Sequence, residues 1–281
     1  MSDSGGILPP RGGDLVKRHR LSTRIWHWIN AVTLLVLLMS GLMIFNAHPH
    51  LYWGEYGANF DASWLDIGAT RGGEGFLRIG PLRVETTGVL GVWTDPEGVT
   101  RARAFPYWAT IPSSYSLADG RIWHLAFAWV LALGLLVYLL WSIVNGHLRR
   151  DIHIRAREWK PSHIWYDVKE HARLRFPTGE AALRYNVLQK LSYAGVMFVL
   201  IPLMIVTGLA MSPGTDAWAP IVTEAFGGRQ SARSVHFICA WLLVAFFIVH
   251  IVMVVLAGPI NEVRSMITGR YRLPREKEDK G

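Results

Sequence analysis

Four stretches of this chain, residues 25–46, 122–145, 188–211 and 235–257, stay apolar over the roughly 18 to 25 residues that carry an α-helix across a bilayer. Lipid offers a backbone amide no hydrogen-bond partner, so segments of this kind cross as helices. The expected fold is all-α and integral to the membrane, a four-transmembrane-helix bundle running up and down. Residues 1–24 are polar, with Arg11, Lys17, Arg18, Arg20 and Arg24, and no small-residue cleavage site follows the first apolar run. The first span therefore reads as a retained anchor and not as a removable signal peptide.

Charge sets the expected orientation. Residues 1–24, 146–190 and 258–281 together hold 21 Lys and Arg against 11 Asp and Glu, whereas the other two connections hold 8 against 10. By the positive-inside bias, both termini and the connection between spans two and three face the cytoplasm, although the 47–121 loop exceeds the length range in which that rule is firmest. The chain then reads as a multi-pass membrane protein with both termini in the cytoplasm. The net charge of +8 then reflects topology and implies no nucleic-acid partner.

The segments divide as a cytoplasmic start (1–24), a four-helix membrane domain (25–257) with a periplasmic insertion (47–121) and a basic cytoplasmic loop (146–187), and a cytoplasmic tail (258–281). In the insertion, LRIGPLRVETTGVLGVW and VTRARAFPYW flank the turn Asp95-Pro96-Glu97-Gly98, which predicts a small β-hairpin. With Trp53, Trp64, Trp93 and Trp108 the insertion reads as ordered, either as a lid over the outer membrane face or as a docking surface for a soluble protein. The basic loop, rich in Arg and Trp, reads as an amphipathic segment on anionic lipid headgroups.

Of eleven histidines only four lie in apolar segments: His27, His124, His236 and His250. His236 and His250 are fourteen residues apart, close to four helical turns, so they leave one face of the last helix about 21 Å apart. Alternating helix directions place His27 level with His250 near the inner face, and His124 level with His236 near the outer face. Ionisable side chains inside a membrane mark function by default. Two imidazoles from different helices at one depth are what a six-coordinate b haem requires, and two such haems would form an electron wire. Each histidine has a plainer reading, as an interfacial ring for His27 and His124 and as a helix–helix hydrogen bond for His236. A histidine-lined metal or proton transporter is the alternative, but the spans contain no Asp or Glu to help carry a cation. The single cysteine, Cys239, and the absence of Cys-x-x-Cys-His exclude covalent haem attachment and cysteine-held iron–sulfur clusters.

Gly41, Gly134, Gly195 and Gly208 lie within the spans, where glycine admits a flat ring or another helix. Pro202 predicts an interruption of the third span.

The motifs RHRLSTRIWHWIN, RIWH, RYNVLQK, SARSVHF with a later VH, and GPINEVRSMITGRY resemble the di-haem cytochrome b subunits that anchor formate dehydrogenases, nickel–iron hydrogenases and thiosulfate reductases. The resemblance implies two haem b groups, one held by His27 with His250 and one by His124 with His236, and quinone as membrane redox partner. The long insertion, from HPHLYWGEYGANFD to VETTGVLGVW, is most similar to the thiosulfate reductase cytochrome b branch, which implies a periplasmic molybdopterin oxidoreductase as partner; hydrogenase and formate dehydrogenase anchors are the alternative.

RYNVLQK opens the third span at the expected level of the inner haem, where Asn186, Gln189 and Lys190 offer hydrogen-bond donors and a proton route to a quinone. Asn186 is equally suited as a helix N-cap, with Gln189 completing a capping box. Arg24 and Lys190 on one side, and Arg121, Arg229 and above all Arg233 on the other, are candidates to neutralise haem propionates. No catalytic carboxylate pair or nucleophile triad appears, so the chain reads as an electron-transfer subunit whose only own reaction is quinone oxidation or reduction.

Overall fold

The computed structural model describes residues 13–58, 61–144, 162, 165, 169 and 187–273. Four helices are long and apolar enough to cross a membrane: α1 (Leu21–Phe45), α2 (Leu117–Val144), α3 (Val187–Ala210) and α6 (Arg229–Ala257). Three begin four to six residues before their apolar stretch, and for two of them the reason is identifiable. Ser116 caps α2, accepting from the Asp119 amide at 3.3 Å and donating to the Asp119 carboxylate at 2.7 Å. The first amides of α6, those of Gln230 and Ser231, donate to Gly54 O at 3.1 Å each.

The interruption expected near Pro202 is present as a π-helical turn, Val196–Leu200, immediately before α-helix resumes at Ile201. Proline has no amide to donate, and widening the preceding turn is one way a helix absorbs that loss. Two short helices, α4 (Pro213–Trp218) and α5 (Pro220–Glu224), connect α3 to α6.

The chain falls into two compact units. One comprises Met1–Trp28, Tyr138–Met197 and Ala245–Gly281. Here β1 (Leu15–Lys17) pairs antiparallel with β8 (Arg270–Arg272), and helix α7 (Pro259–Thr268) precedes β8. Arg18 bridges to Glu262 of α7 at 3.0 Å and lies 4.3 Å over the Tyr271 ring. Arg24 and Trp28, on α1, donate to the last carbonyls of α7: Arg24 to Met266 O and Ile267 O, Trp28 Nε1 to Met266 O at 3.2 Å. A cation against a helix C-terminus satisfies carbonyls that have no partner within the helix. Trp26 stacks on the buried Tyr138 at 5.1 Å. The basic loop falls almost wholly outside the described residues.

The other unit comprises Ile29–Val137 and Phe198–Val244 and contains the insertion. The expected hairpin is there, as β6 (Gly91–Thr94) and β7 (Thr100–Arg103). Asp95 closes its turn, accepting from Val99 N and from Arg101 Nε, each at 2.7 Å, while Gly98 takes φ +80°. Beyond expectation, four more strands form an antiparallel sheet in the order β2 (His50–Leu51), β3 (Leu65–Ala69), β4 (Gly75–Ile79) and β5 (Leu82–Glu85).

A core of Phe45, Leu51, Leu65, Ile67, Ala104 and Phe105 joins this sheet to the ends of α1 and α6, with Phe45 stacked on Phe237 at 4.9 Å. Asn46 fixes the same junction, accepting from Phe105 N at 2.7 Å and donating to Phe105 O at 3.0 Å. Trp64 Nε1 donates to Ser234 of α6 at 2.9 Å. The insertion is thus anchored on the end of α1 and on α6, the helix that carries His236.

Candidate haem-binding site

Within the unit that includes the insertion, α2 supplies His124 and α6 supplies His236. Their ring centroids lie 6.2 Å apart with planes inclined by 60°. In the unit that includes the terminal ribbon, α1 supplies His27 and α6 supplies His250, again 6.2 Å apart and inclined by 55°. Two imidazoles on opposite sides of one iron, with metal–nitrogen bonds of about 2 Å and about 1 Å from nitrogen to ring centre, sit about 6 Å apart. Both pairs match that separation, and the tilt in each excludes plain ring stacking.

The His124/His236 pair is also oriented. His124 Nδ1 lies 3.1 Å from Leu37 O, an acceptor only, so Nδ1 carries the hydrogen. Ser40 Oγ stands 3.1 Å from the same nitrogen and gives its own hydrogen to Val36 O at 2.6 Å. His236 Nδ1 lies 2.9 Å from Thr207 Oγ1, whose hydrogen goes to Leu203 O at 2.7 Å, so the hydroxyl accepts from the ring. With both Nδ1 atoms protonated, each Nε2 keeps a lone pair for a metal. A ligating histidine is normally held in this way through its second nitrogen.

Small residues admit the rings. A Cβ at Gly41 would come within 3.3 Å of His124 Cε1, and one at Gly208 within 3.7 Å of His236 Cε1. Each glycine follows the hydroxyl that holds the same ring: Ser40-Gly41 for His124 and Thr207-Gly208 for His236. The hydroxyls escaped sequence reasoning, although the repeated hydroxyl–glycine dipeptide in two apolar spans was a usable signal. At Gly195 a Cβ would meet nothing within 4 Å.

The His27/His250 pair is framed by aromatic side chains. Trp28 meets His27 edge-on at 5.2 Å, and Phe246 stacks on His250 at 6.0 Å. His27 Nδ1 is buried and has no hydrogen-bond partner among the described residues. Gln189 and Lys190 lie on α3, half-buried, in the same compact unit as this pair. Asn186 lies outside the described residues.

Arg233, three residues before His236, donates through both terminal nitrogens to the carbonyls of His50 and His48 and lies 5.6 Å over the Phe45 ring. Arg121 and Arg229 are exposed. Beside the His48–His50 turn, the Asp66 carboxylate accepts from Ser63, His50 and Arg78. Burial pushes the Asp66 carboxyl up, but these hydrogen bonds outweigh it and hold the acid below its ordinary value. Among the described residues, no group of three or more His, Cys, Asp or Glu converges to hold a metal ion. Paired histidines without a third ligand suit a planar macrocycle better than a tetrahedral ion.

Four apolar helices carrying two facing histidine pairs are the arrangement of a membrane b-type cytochrome. The chain belongs to the prokaryotic cytochrome b561 family, whose model matches residues 18–269. It is therefore a multi-pass membrane protein with haem b as its cofactor. A relative from Azospira oryzae, named as the protein-methionine-sulfoxide reductase subunit YedZ1, is 25% identical over 83% of this chain and 87% of its own length. Other relatives are named as probable Ni/Fe-hydrogenase B-type cytochrome subunits. That of Azotobacter vinelandii is 29% identical over 50% of this chain and 62% of its own length, and that of Cupriavidus necator 21% identical over 96% and 92%. No solved structure matches the chain.

Proposed function

We propose that the chain binds two haem b groups, one between His27 and His250 and one between His124 and His236, and passes electrons between a quinone and an oxidoreductase partner at the outer membrane face. The observation that carries this reading is the equal 6.2 Å ring separation in two independent histidine pairs. Haem iron, when bound, supplies one-electron exchange between its ferric and ferrous states. The protein supplies ligation, orientation and exclusion of water. Ser40, Leu37 O and Thr207 keep the His124 and His236 rings in the tautomer that offers Nε2. Phe246 and Trp28 shield the other pair. Arg233, whose five N–H donors exceed the two used on His48 and His50, has capacity left for a haem carboxylate.

Quinone reduction takes up two electrons and two protons; in this reading Gln189 donates a hydrogen bond and Lys190 relays a proton at its carbonyl oxygens. Asn186 joins them by its position in RYNVLQK. The partner reads as a periplasmic molybdopterin oxidoreductase, from the resemblance of the long insertion to the thiosulfate reductase branch. The insertion, anchored on α1 and α6 through Asn46, Phe45 and Trp64, offers the docking surface. Relatives named as reductase and hydrogenase subunits support an oxidoreductase partner in general.

The test is spectroscopic. The purified chain should be red, with a reduced-minus-oxidised α band of b haem, two haems per polypeptide, and reduction by added quinol that slows in Gln189→Ala and Lys190→Ala. A colourless preparation would end the haem reading, and unchanged reduction kinetics in both variants would remove the quinone site.

A further inference from the structure

Where α6 ends at Ala257, the chain turns through Gly258, which takes φ +105°, and α7 starts at once. An open pocket of about 490 Å³ lies at this junction, bounded by Gly13, Ala257 and Ile260 and by the strand residues Tyr271 to Leu273. Its polar lining includes Asn261, Arg264 and Arg272, with no acidic residue among the described residues. Glu262, the one acid of α7, is taken by Arg18 at 3.0 Å. Asn261 is committed to the strand, accepting from Arg272 N at 3.0 Å and donating to Arg272 O at 2.8 Å. That leaves the two guanidinium groups. Arg264 gives one terminal N–H to Asn261 Oδ1 at 2.8 Å, while its Nε is buried without a hydrogen-bond partner among the described residues. A buried charged donor without an acceptor is costly, and a guanidinium fork matches the oxygens of a phosphate.

A second feature says where that phosphate comes from. Ile260, Val263 and Ile267 of α7 are 84%, 41% and 55% exposed. At 100° per residue they form one stripe about 60° wide, and Arg264 flanks it. The buried face of the same helix holds Ser265. A short helix that leaves a membrane span with an exposed apolar stripe, beside arginines that form no ion pair among the described residues, has the pattern of a segment lying in the headgroup layer.

We propose that this pocket binds the phosphate of an anionic phospholipid headgroup, with Arg264 and Arg272 as its cationic contacts and the Ile260–Ile267 stripe against the acyl chains. The site is independent of the histidine pairs. The experiment titrates the full-length, haem-loaded protein in detergent with phosphatidylglycerol, phosphatidylcholine or inorganic phosphate, and counts bound molecules by native mass spectrometry. Phosphatidylglycerol should be retained at least tenfold better than phosphatidylcholine. The Arg264→Gln/Arg272→Gln double variant should fall to the phosphatidylcholine level with its haem spectrum intact, and Arg272→Gln alone should lose part of the preference should the double variant fail to fold. Arg270→Gln, on the same strand but outside the pocket, should bind as the wild type does. Equal retention of the two lipids, or undiminished phosphatidylglycerol binding in the arginine variants, would overturn the proposal. Inorganic phosphate bound as tightly as the lipid would also overturn it, assigning the pocket to a free anion.

Discussion

Thr207 Oγ1 sits 2.9 Å from His236 Nδ1 and gives its own proton to Leu203 O at 2.7 Å, so the hydroxyl can only accept from the ring. One threonine thereby fixes which histidine nitrogen keeps its lone pair free. Thr207→Val should lower haem affinity at this pair by about tenfold to a hundredfold, the usual cost of losing such a supporting bond. Thr207→Ser should restore it. Transfer of haem to an acceptor protein, followed in the α band, measures both.

Glycine size at the rings gives a graded test. Gly41→Val places branched carbon where even a Cβ is 3.3 Å from His124, and should cost the His124/His236 haem. Gly208→Ala, with 3.7 Å available, should be tolerated. Gly195→Ala, which meets nothing, should be neutral or stabilise the helix by about 0.5–1 kcal/mol. Haem content and thermal stability of the three variants decide the order.

Much of this site could be read in the chain before any coordinates, because lipid imposes both length and polarity on a span. Four apolar stretches gave four helices, and four histidines in those stretches stood out because ionisable groups are rare there. Ser40 and Thr207 were not legible as ring partners. A hydroxyl inside a span usually satisfies itself on the carbonyl four residues back, and both do so here, to Val36 O and Leu203 O. Only the fold reveals the second bond. The four-stranded sheet was missed for a related reason: β3 buries Leu65, Asp66 and Ile67 in succession, and an aspartate there breaks the alternation of a strand. Its charge is balanced by Arg78, twelve residues away, and its carboxylate also meets the His50 ring, sixteen residues away.

Asp66 links the insertion to pH. Its folded carboxyl titrates below its ordinary value, so its contribution to stability is complete above about pH 4 and is lost as pH falls further, through the folded value. Asp66→Asn should destabilise the insertion by about 1–2 kcal/mol at neutral pH, since it removes the carboxylate that pairs with the partly exposed Arg78. The variant should also lose this part of the acid dependence. Tryptophan fluorescence during denaturation between pH 3 and 7 reads both effects.

Arg233 should matter more than its exposed neighbours. Arg233→Gln removes the bonds to the His48 and His50 carbonyls and the charge nearest His236 in sequence, and should alter the His124/His236 haem spectrum. Arg229→Gln, at an exposed position, should leave that spectrum as in the wild type. Low-temperature difference spectra separate the two cases.

The central assignment is the partnership of histidines, and haem counting in the four single His→Ala variants tests it most directly. The wild type should carry two haems. His27→Ala and His250→Ala should keep one and show the same difference spectrum, and His124→Ala and His236→Ala should keep the other and share the complementary spectrum. Loss of the same haem from His27→Ala and His124→Ala would contradict the pairing.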